Sequence, residues 1–383
     1  MQISSAQTYD DLRRMARRRL PRIIYDYIEG GLGAEEGVKN NPRAFSRFKI
    51  VPRYLLDVSV RSQAISLFGQ QFDGPFGIGP TGMAGMSRYG ADRMLAEAAK
   101  ERNIPFVLSG LATASIESIA AVAPDHVWYQ LYASRDRSVA EGVAARAADA
   151  GVKTLVLTVD IPAAPKRERD IRNGMSVPPI LDLKTMFQIA THPHWASHVL
   201  RHGIPDFENL SPYYPKGSSL KQSAEFVGRV MTGHVGADRV RRIRDAWKGR
   251  LLIKGVLDVT EAEAYLALGA DGLIVSNHGG RQLDAAPTAA SVLPAIRRKL
   301  GRDVLIAADG GIRSGLDVAR LLALGADFVL IGRPFVFASA AMGAAGGDHL
   351  MTILKAELSG AMAQLGCRTI ADLPSFLYAP AHV

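Results

Sequence analysis

The feature that most constrains this chain is a repeated alternation. Eight apolar segments of strand length fall at 75–79, 106–109, 127–132, 154–160, 251–255, 272–276, 304–309 and 328–332. Ala-rich, helix-like segments separate most of them, as at 91–101, 138–150, 259–268 and 314–324. Short apolar runs bounded by turn residues read as buried strands. Strands that alternate with helices need crossover connections, so their sheet is parallel. Eight such units predict an α/β fold of the (β/α)8 TIM-barrel class. A faint internal repeat agrees: Ala267-Leu268-Gly269-Ala270-Asp271 precedes the sixth strand and Ala323-Leu324-Gly325-Ala326-Asp327 the eighth.

Ahead of the barrel lies an N-terminal helical segment. Thr8 is placed to cap a helix running to Leu20, with Asp11 in the capping-box position. Pro21 opens a second short helix that carries Tyr25-Asp26-Tyr27 and ends at Gly30-Gly31. Residues 34–73 read as an irregular excursion with short strands. The rhythm breaks once, between strands four and five. Residues 176–236 there read as a loop insertion on the catalytic face, with Met186, Phe187, Trp195, Val199 and Leu200 set among basic residues. Such a segment suits a lid or a membrane contact. The whole chain, 1–383, is expected to be one domain.

Composition excludes several classes. Hydrophobic residues make up 48% and charged residues 22%, enough to bury a core and too apolar for disorder. One cysteine, Cys367, rules out an internal disulfide framework or a cysteine-based metal cluster and fits a reducing compartment. No signal-like stretch and no membrane-spanning apolar run is visible. The expectation is a cytoplasmic protein, peripheral on the inner face of the cell membrane. A net charge of +9 favours anionic partners. The basic residues are dispersed without an aromatic-and-basic repeat, so no nucleic acid is expected. His194, His198 and His202 share a helical spacing, but no acidic partner sits among them and no metal is assigned.

The chemistry concentrates at strand ends, where a parallel barrel presents its site. Strand six runs into Ser276-Asn277-His278-Gly279-Gly280-Arg281-Gln282. His278 can carry a proton near neutral pH, and Arg281 can fork two hydrogen bonds onto a carboxylate. Asp160, ending strand four, can orient His278 and stabilise its protonated form. Arg167, in the charged run 166–170, offers a second guanidinium or belongs to a solvated face. Strand seven ends Asp309-Gly310-Gly311-Ile312-Arg313 and strand eight Gly332-Arg333, the composition and place of a phosphate cradle. Lys254 ends apolar strand five and wants an anionic partner, such as a ring acquiring negative charge. Gly77-Ile78-Gly79-Pro80-Thr81-Gly82 fits a dinucleotide motif, yet the second strand ends in Ser109 rather than an acidic residue. These glycines read as room for a cofactor ring.

Taken together, Pro80-Thr81-Gly82, Gln130-Leu131-Tyr132, Thr158-Val159-Asp160, Arg167-Glu168, Lys254-Gly255, Ser276 to Gln282, Asp309 to Arg313 and Gly332-Arg333 resemble the FMN-dependent 2-hydroxy-acid dehydrogenase and oxidase family. The family includes L-lactate dehydrogenases, (S)-mandelate dehydrogenase and glycolate oxidase. The resemblance runs from Leu20-Pro21 to the C-terminal helix. It implies FMN as cofactor and His278 as the base, paired with Asp160. It implies that Arg281 and Arg167 grip the substrate carboxylate with help from Tyr27, and that Tyr132 bonds near the reacting group. Lys254 would stabilise the reduced flavin. Pro80, Thr81, Gly82, Ser109, Gln130, Thr158 and Ser276 would line the flavin. Asp309 would bind the ribityl chain, and Gly310, Gly311, Arg313, Gly332 and Arg333 the phosphate.

The stretch from Thr191 to Ala196 and the run Asn209-Leu210-Ser211 look like those of membrane-associated bacterial L-lactate dehydrogenases. Leu111, where glycolate oxidase carries a bulky Trp, implies a roomier substrate pocket, towards which Met83 and Ala164 are also expected to point. Gly82, where typical oxidases have Ala, favours a dehydrogenase. The implied reaction is oxidation of a lactate- or mandelate-type (S)-2-hydroxy acid to the 2-oxo acid, with electrons passed to a quinone or other external acceptor. The alternatives are an oxidase that uses O2 and makes H2O2, a non-redox FMN-barrel isomerase, or a non-catalytic FMN-binding module. Family members often form homotetramers.

Overall fold

The computed structural model describes residues 6–132, 136–175, 182–231 and 233–378. Residues 1–5, 133–135, 176–181, 232 and 379–383, some of them in the expected insertion, lie outside these. Eight parallel strands form a closed barrel: β1 (Phe76–Ile78), β2 (Phe106–Leu108), β3 (Val127–Tyr132), β4 (Thr154–Thr158), β5 (Arg250–Val256), β6 (Gly272–Val275), β7 (Leu305–Asp309) and β8 (Phe328–Ile331). They follow one another around the ring in chain order, and β8 closes it by pairing Val329 with Phe76 and Ile331 with Ile78.

Strand periodicity sorts the side chains. Val127, Tyr129 and Leu131 of β3, and Leu155 and Leu157 of β4, face outward into the core shared with the helices. Trp128, Val156, Leu252, Ile274 and Ala307 face inward and pack with Phe328 inside the barrel. A hairpin, Ile65–Leu67 with Gln70–Phe72, adds Leu67 and Phe72 to that inner cluster. Each fully buried side chain of this kind contributes roughly 1.5–3 kcal/mol.

The N-terminal helices form as the sequence predicts. Helix α1 (Tyr9–Arg19) begins with the Thr8–Asp11 capping box and buries Tyr9, Leu12, Met15 and Ala16. Helix α2 (Arg22–Glu29) follows, and Tyr25 packs on Phe337 with ring centroids 5.2 Å apart. The last carbonyls of a helix lack intrahelical donors. Arg281 Nη1 donates to Tyr27 O and Gly30 O, each at 2.8 Å. Arg333 donates from Nε to Ile28 O at 2.9 Å and from Nη2 to Gly30 O at 3.0 Å. Two cations at this end also complement the helix dipole.

Two expectations need correction. Residues 34–73 are not wholly irregular, because α3 (Glu36–Ala44) forms despite Pro42. Tertiary bonds hold it: Asn41 and Asn277 exchange amide hydrogen bonds at 2.9 and 2.8 Å, and Gly37 N–H donates to Asp284 Oδ1. Gly280, at φ +76°, is required there, since a Cβ would lie 2.4 Å from Val38 N. The insertion is not a loop but carries helices at Leu183–Ala190, Pro193–His202 and Leu220–Met231. Asp182 caps the first, accepting from Thr185 N–H, and Pro193 starts the second. Trp195 Nε1 donates to Met86 O at 2.8 Å and ties the insertion to the loop after β1. Among the described residues, no helix is long and apolar enough to cross a membrane.

Candidate active site

The inward face of the barrel changes character one layer above the apolar plug. Gln130, Thr158, Lys254, Ser276 and Asp309 come two residues after Trp128, Val156, Leu252, Ile274 and Ala307, so period two returns them to the interior at the carboxyl ends. Burial demands partners for these groups. Ser109 Oγ donates to Gln130 Oε1 at 3.0 Å, and Gln130 Nε2 donates to Thr158 Oγ1 at 2.9 Å. Lys254 Nζ donates to Ser276 Oγ at 2.8 Å and pairs with Asp309 Oδ2 at 3.1 Å. Lys254 therefore has a carboxylate partner within the protein, which its sequence position did not indicate.

Above this layer His278 Nδ1 hydrogen-bonds Asp160 Oδ1 at 2.9 Å. Two backbone features set the pair. The β5–β6 register slips between Lys254 and Val256, and Gly255 at φ +107° lets Asp160 approach where a Cβ would lie 2.6 Å from the aspartate Cβ. His278 itself sits at φ +54°, a strained conformation that clusters at functional sites. Its N–H donates to Ser276 Oγ at 3.0 Å. Burial depresses the His278 pKa below 6.5, with Asp160 opposing and Lys254 assisting. Burial also pushes Asp160 upward, but His278 and Lys254 outweigh it and hold the carboxyl below its usual range. At neutral pH these directions favour a neutral imidazole beside a carboxylate.

A cleft of about 310 Å³ opens over His278. Of the expected site residues, Tyr27, Pro80, Thr81, Gly82, Leu111, Tyr132, Arg167, Lys254, His278, Arg281, Asp309, Gly310, Gly311, Arg313, Gly332 and Arg333 line it. Ser109, Gln130, Thr158 and Ser276 are buried and do not line this wall. Asp160 reaches the cleft through His278. Ala164 is exposed and takes no part in the wall.

The cleft is rich in cations. Burial, followed by Arg167, lowers Arg281 to about 10, and burial with Arg281 and Arg313 lowers Arg333 to about 9. Arg333 spends its donors on the carbonyls of Ile28, Gly30 and Gly279. Arg281 Nε and Nη2 donate to no protein atom among the described residues, and Arg167 Nε is buried without a partner. Arg167 lies 3.9 Å from Asp170. Buried guanidinium groups so arranged call for an anion. Burial, with the charge of Asp160, raises the pKa of Tyr132, which stays a neutral donor.

The apolar part of the wall is made by Met83, Leu111, Ile161, Phe207 and Met231. Ile161, Phe207 and Met231 escaped the sequence reading. Ile161 directly follows Asp160, a signal within reach, whereas no spacing links Phe207 or Met231 to the barrel. Among the described residues, no group of three or more His, Cys, Asp or Glu is placed to hold a metal ion. His194, His198 and His202 line up along one helix with ring centroids 5.1 and 6.1 Å apart.

The fold and the cleft define a barrel that gathers buried arginines beside a histidine–aspartate pair at its carboxyl end. Residues 16–379 match the FMN-dependent dehydrogenase family, and the chain belongs to it. It is 40% identical over 369 residues to (S)-mandelate dehydrogenase of Pseudomonas putida, covering 96% of this chain and 93% of that one. It is 42% identical over 372 residues to an L-lactate dehydrogenase of Stenotrophomonas maltophilia (strain R551-3), covering 97% of each. The structure of the monotopic membrane protein (S)-mandelate dehydrogenase superposes with a TM-score of 0.93 at 38% identity, over 98% of this chain and 99% of that one.

FMN suits the groups present. Asp309 Oδ1 is buried without a hydrogen-bond partner, as expected of an acceptor awaiting a hydroxyl donor. Gly310 and Gly311, both at positive φ, lie on the same wall as Arg313.

Proposed function

We propose that the protein oxidises (S)-2-hydroxy acids with an apolar C2 substituent to 2-oxo acids, using FMN and an external electron acceptor. The observation that carries this reading is His278, bonded to Asp160 at 2.9 Å, in one cleft with the incompletely bonded Arg281 and Arg167. When bound, FMN supplies the two-electron acceptor for the substrate's C2. Arg281 and Arg167 hold the substrate carboxylate, each through charge-assisted hydrogen bonds. Tyr27 and Tyr132 add hydroxyl groups and fix the orientation. His278 removes a proton through Nε2, and Asp160 fixes its tautomer and stabilises the imidazolium that forms.

Lys254 would present positive charge to the flavin ring, with Pro80, Thr81 and Gly82 beside it. Asp309, Gly310, Gly311, Arg313 and Gly332 would hold the ribityl and phosphate groups, with Arg333 lending charge. Ser109, Gln130, Thr158 and Ser276 would support that layer. Met83, Leu111, Ile161, Phe207 and Met231 favour an aryl or branched alkyl substituent over the bare hydrogen of glycolate.

The chain, 1–383, acts as one FMN-binding unit, with 176–236 as a lid or a membrane contact, and the exposed apolar residues favour the membrane contact. Peripheral attachment to the inner face of the cell membrane is supported by exposed Leu183, Met186, Phe187, Leu200 and Ile204 and by the monotopic relative. The exposed residues Tyr54, Leu55, Leu56 and Val60 support self-association into a homotetramer, and a monomeric mass by light scattering would remove that assignment.

The test is anaerobic mixing of the flavin-loaded protein with (S)-mandelate, (S)-lactate and glycolate. Bleaching of the flavin absorbance is expected, fastest with (S)-mandelate. Slow recolouring on admission of air, against fast recolouring with a quinone, separates dehydrogenase from oxidase. A flavin that none of these acids bleaches would overturn the reading.

A further inference from the structure

The cleft shares a wall with a larger space. A second cavity of about 470 Å³ lies between α1, α2, the turn after β1 and the insertion helices. Met83 and Phe207 line both spaces, so the two are separated by single side chains. Its walls are apolar, built from residues such as Leu20, Ile23, Ile24, Met86, Trp195 and Val199. Leu200 and Ile204 line it as well, yet are 87% and 54% exposed, so its mouth lies on the apolar outer face of the insertion.

Two observations give the cavity polarity. Arg88 Nε and His198 Nδ1, both from lining residues, are buried without hydrogen-bond partners. Met83, at the partition, is held in the left-handed region at φ 60°, its N–H bonded to Leu111 O at 2.9 Å. Such strain in a residue with a side chain persists where the surroundings enforce it and clusters at functional positions.

We propose that this cavity binds a lipid-soluble quinone, ring towards Met83 and tail towards Leu200 and Ile204, and that it is the exit for electrons. This rests on the dehydrogenase reading. A plain acyl chain would leave Arg88 Nε and His198 Nδ1 unsatisfied. A charged, water-soluble acceptor gains nothing from apolar walls. A flat ring with carbonyl oxygens and an alkyl tail satisfies both groups. Two electrons from the reduced flavin and two protons from solvent convert the two quinone carbonyls to the hydroxyls of a quinol, and the flavin returns to its oxidised form.

The probe is decyl-1,4-benzoquinone, added to the flavin-loaded protein in detergent. Trp195 lines the cavity, whereas Trp128 and Trp247 are buried elsewhere, so saturable quenching of tryptophan fluorescence is expected and should vanish in Trp195→Phe. Ala224→Phe and, independently, Ala196→Phe fill the space. Each should abolish the quenching and slow recolouring by the quinone at least about tenfold, in line with the cost of overpacking. Bleaching by substrate and recolouring by ferricyanide should stay as in the parent protein. Quenching and quinone recolouring that persist in both filled variants would overturn the proposal. So would decanol displacing the quinone while quinone recolouring continues at full rate, which would make the cavity a lipid slot. Absence of bleaching by any 2-hydroxy acid would strike the parent reading instead, and the quenching arm, needing no substrate, would still decide the cavity.

Discussion

The floor of the cleft stands on strand ends, whereas two of the five apolar wall residues, Phe207 and Met231, come from the insertion. On and just beneath the floor, Lys254 and Asp309, with the buried Ser109, Gln130, Thr158 and Ser276, are fixed by barrel register and joined by hydrogen bonds. In the wall, Phe207 and Met231 belong to a helical excursion that turns Leu183, Phe187 and Leu200 outward. A rigid, paired floor suits chemistry that tolerates little displacement. An apolar wall on a separate element can vary with substrate and location without disturbing that chemistry.

The sharpest break of this division is His278→Ala, which would remove the proposed base and leave the layer beneath it. Flavin should still bind, while its rate of reduction by substrate falls about 10²–10⁴-fold. Asp160→Asn comes next, with a loss near the lower end of that range, read by stopped-flow bleaching. It should also move the pH profile. The folded His278 pKa lies below 6.5, so reduction is flat at neutral pH and falls as pH drops through that lower value. Asp160 raises His278, so its neutralisation should shift the acid limb further down. Linkage has a matching sign. The unfolded chain binds the His278 proton more readily, so this group's contribution to stability declines as pH falls below about 6.5. A profile unmoved by Asp160→Asn would break the pairing.

Arg281→Lys should raise the substrate KM about tenfold or more, because an ammonium loses the fork geometry. It also loses contacts to the end of α2, so a fall in melting temperature should accompany it. Phe207→Ala tests the wall alone. It should alter the mandelate-to-lactate ratio of kcat/KM by about tenfold and leave flavin binding unchanged. The smallest catalytic effect belongs to Phe187→Glu with Leu200→Glu. Bleaching in solution should be unaffected, whereas sedimentation with anionic vesicles should be lost. Reduced bleaching in that double variant would show that floor and outer face are coupled.

The floor was the legible part of the molecule. Strand ends mark Lys254, Asp309, Asp160 and the loop carrying His278. What escaped depends on contacts far apart in sequence. Helix α3 carries Pro42 and follows Glu35 in a left-handed conformation, so local propensity argues against it. Its anchor, Asn41 on Asn277, spans 236 residues and leaves no local pattern. The insertion helices do have local signals, Asp182 as a cap and Pro193 at a first turn, hidden by the expectation that a break in the barrel rhythm is a loop. Arg333 reads as a phosphate ligand from its place after β8, and its two bonds to the end of α2 are an addition that no local pattern announces.

That last contact has a consequence for synthesis. Arg333 Nε and Ile28 O are 305 residues apart, so α2 leaves the ribosome long before its cap exists. At roughly 5–20 residues per second the wait is on the order of 15–60 s. Throughout it, the apolar faces of α1 and α2 are without the Arg333–Met342 helix, against whose Phe337 the rings of Tyr9 and Tyr25 pack at a tilt. Those faces stay uncovered until the chain has been extended through that helix.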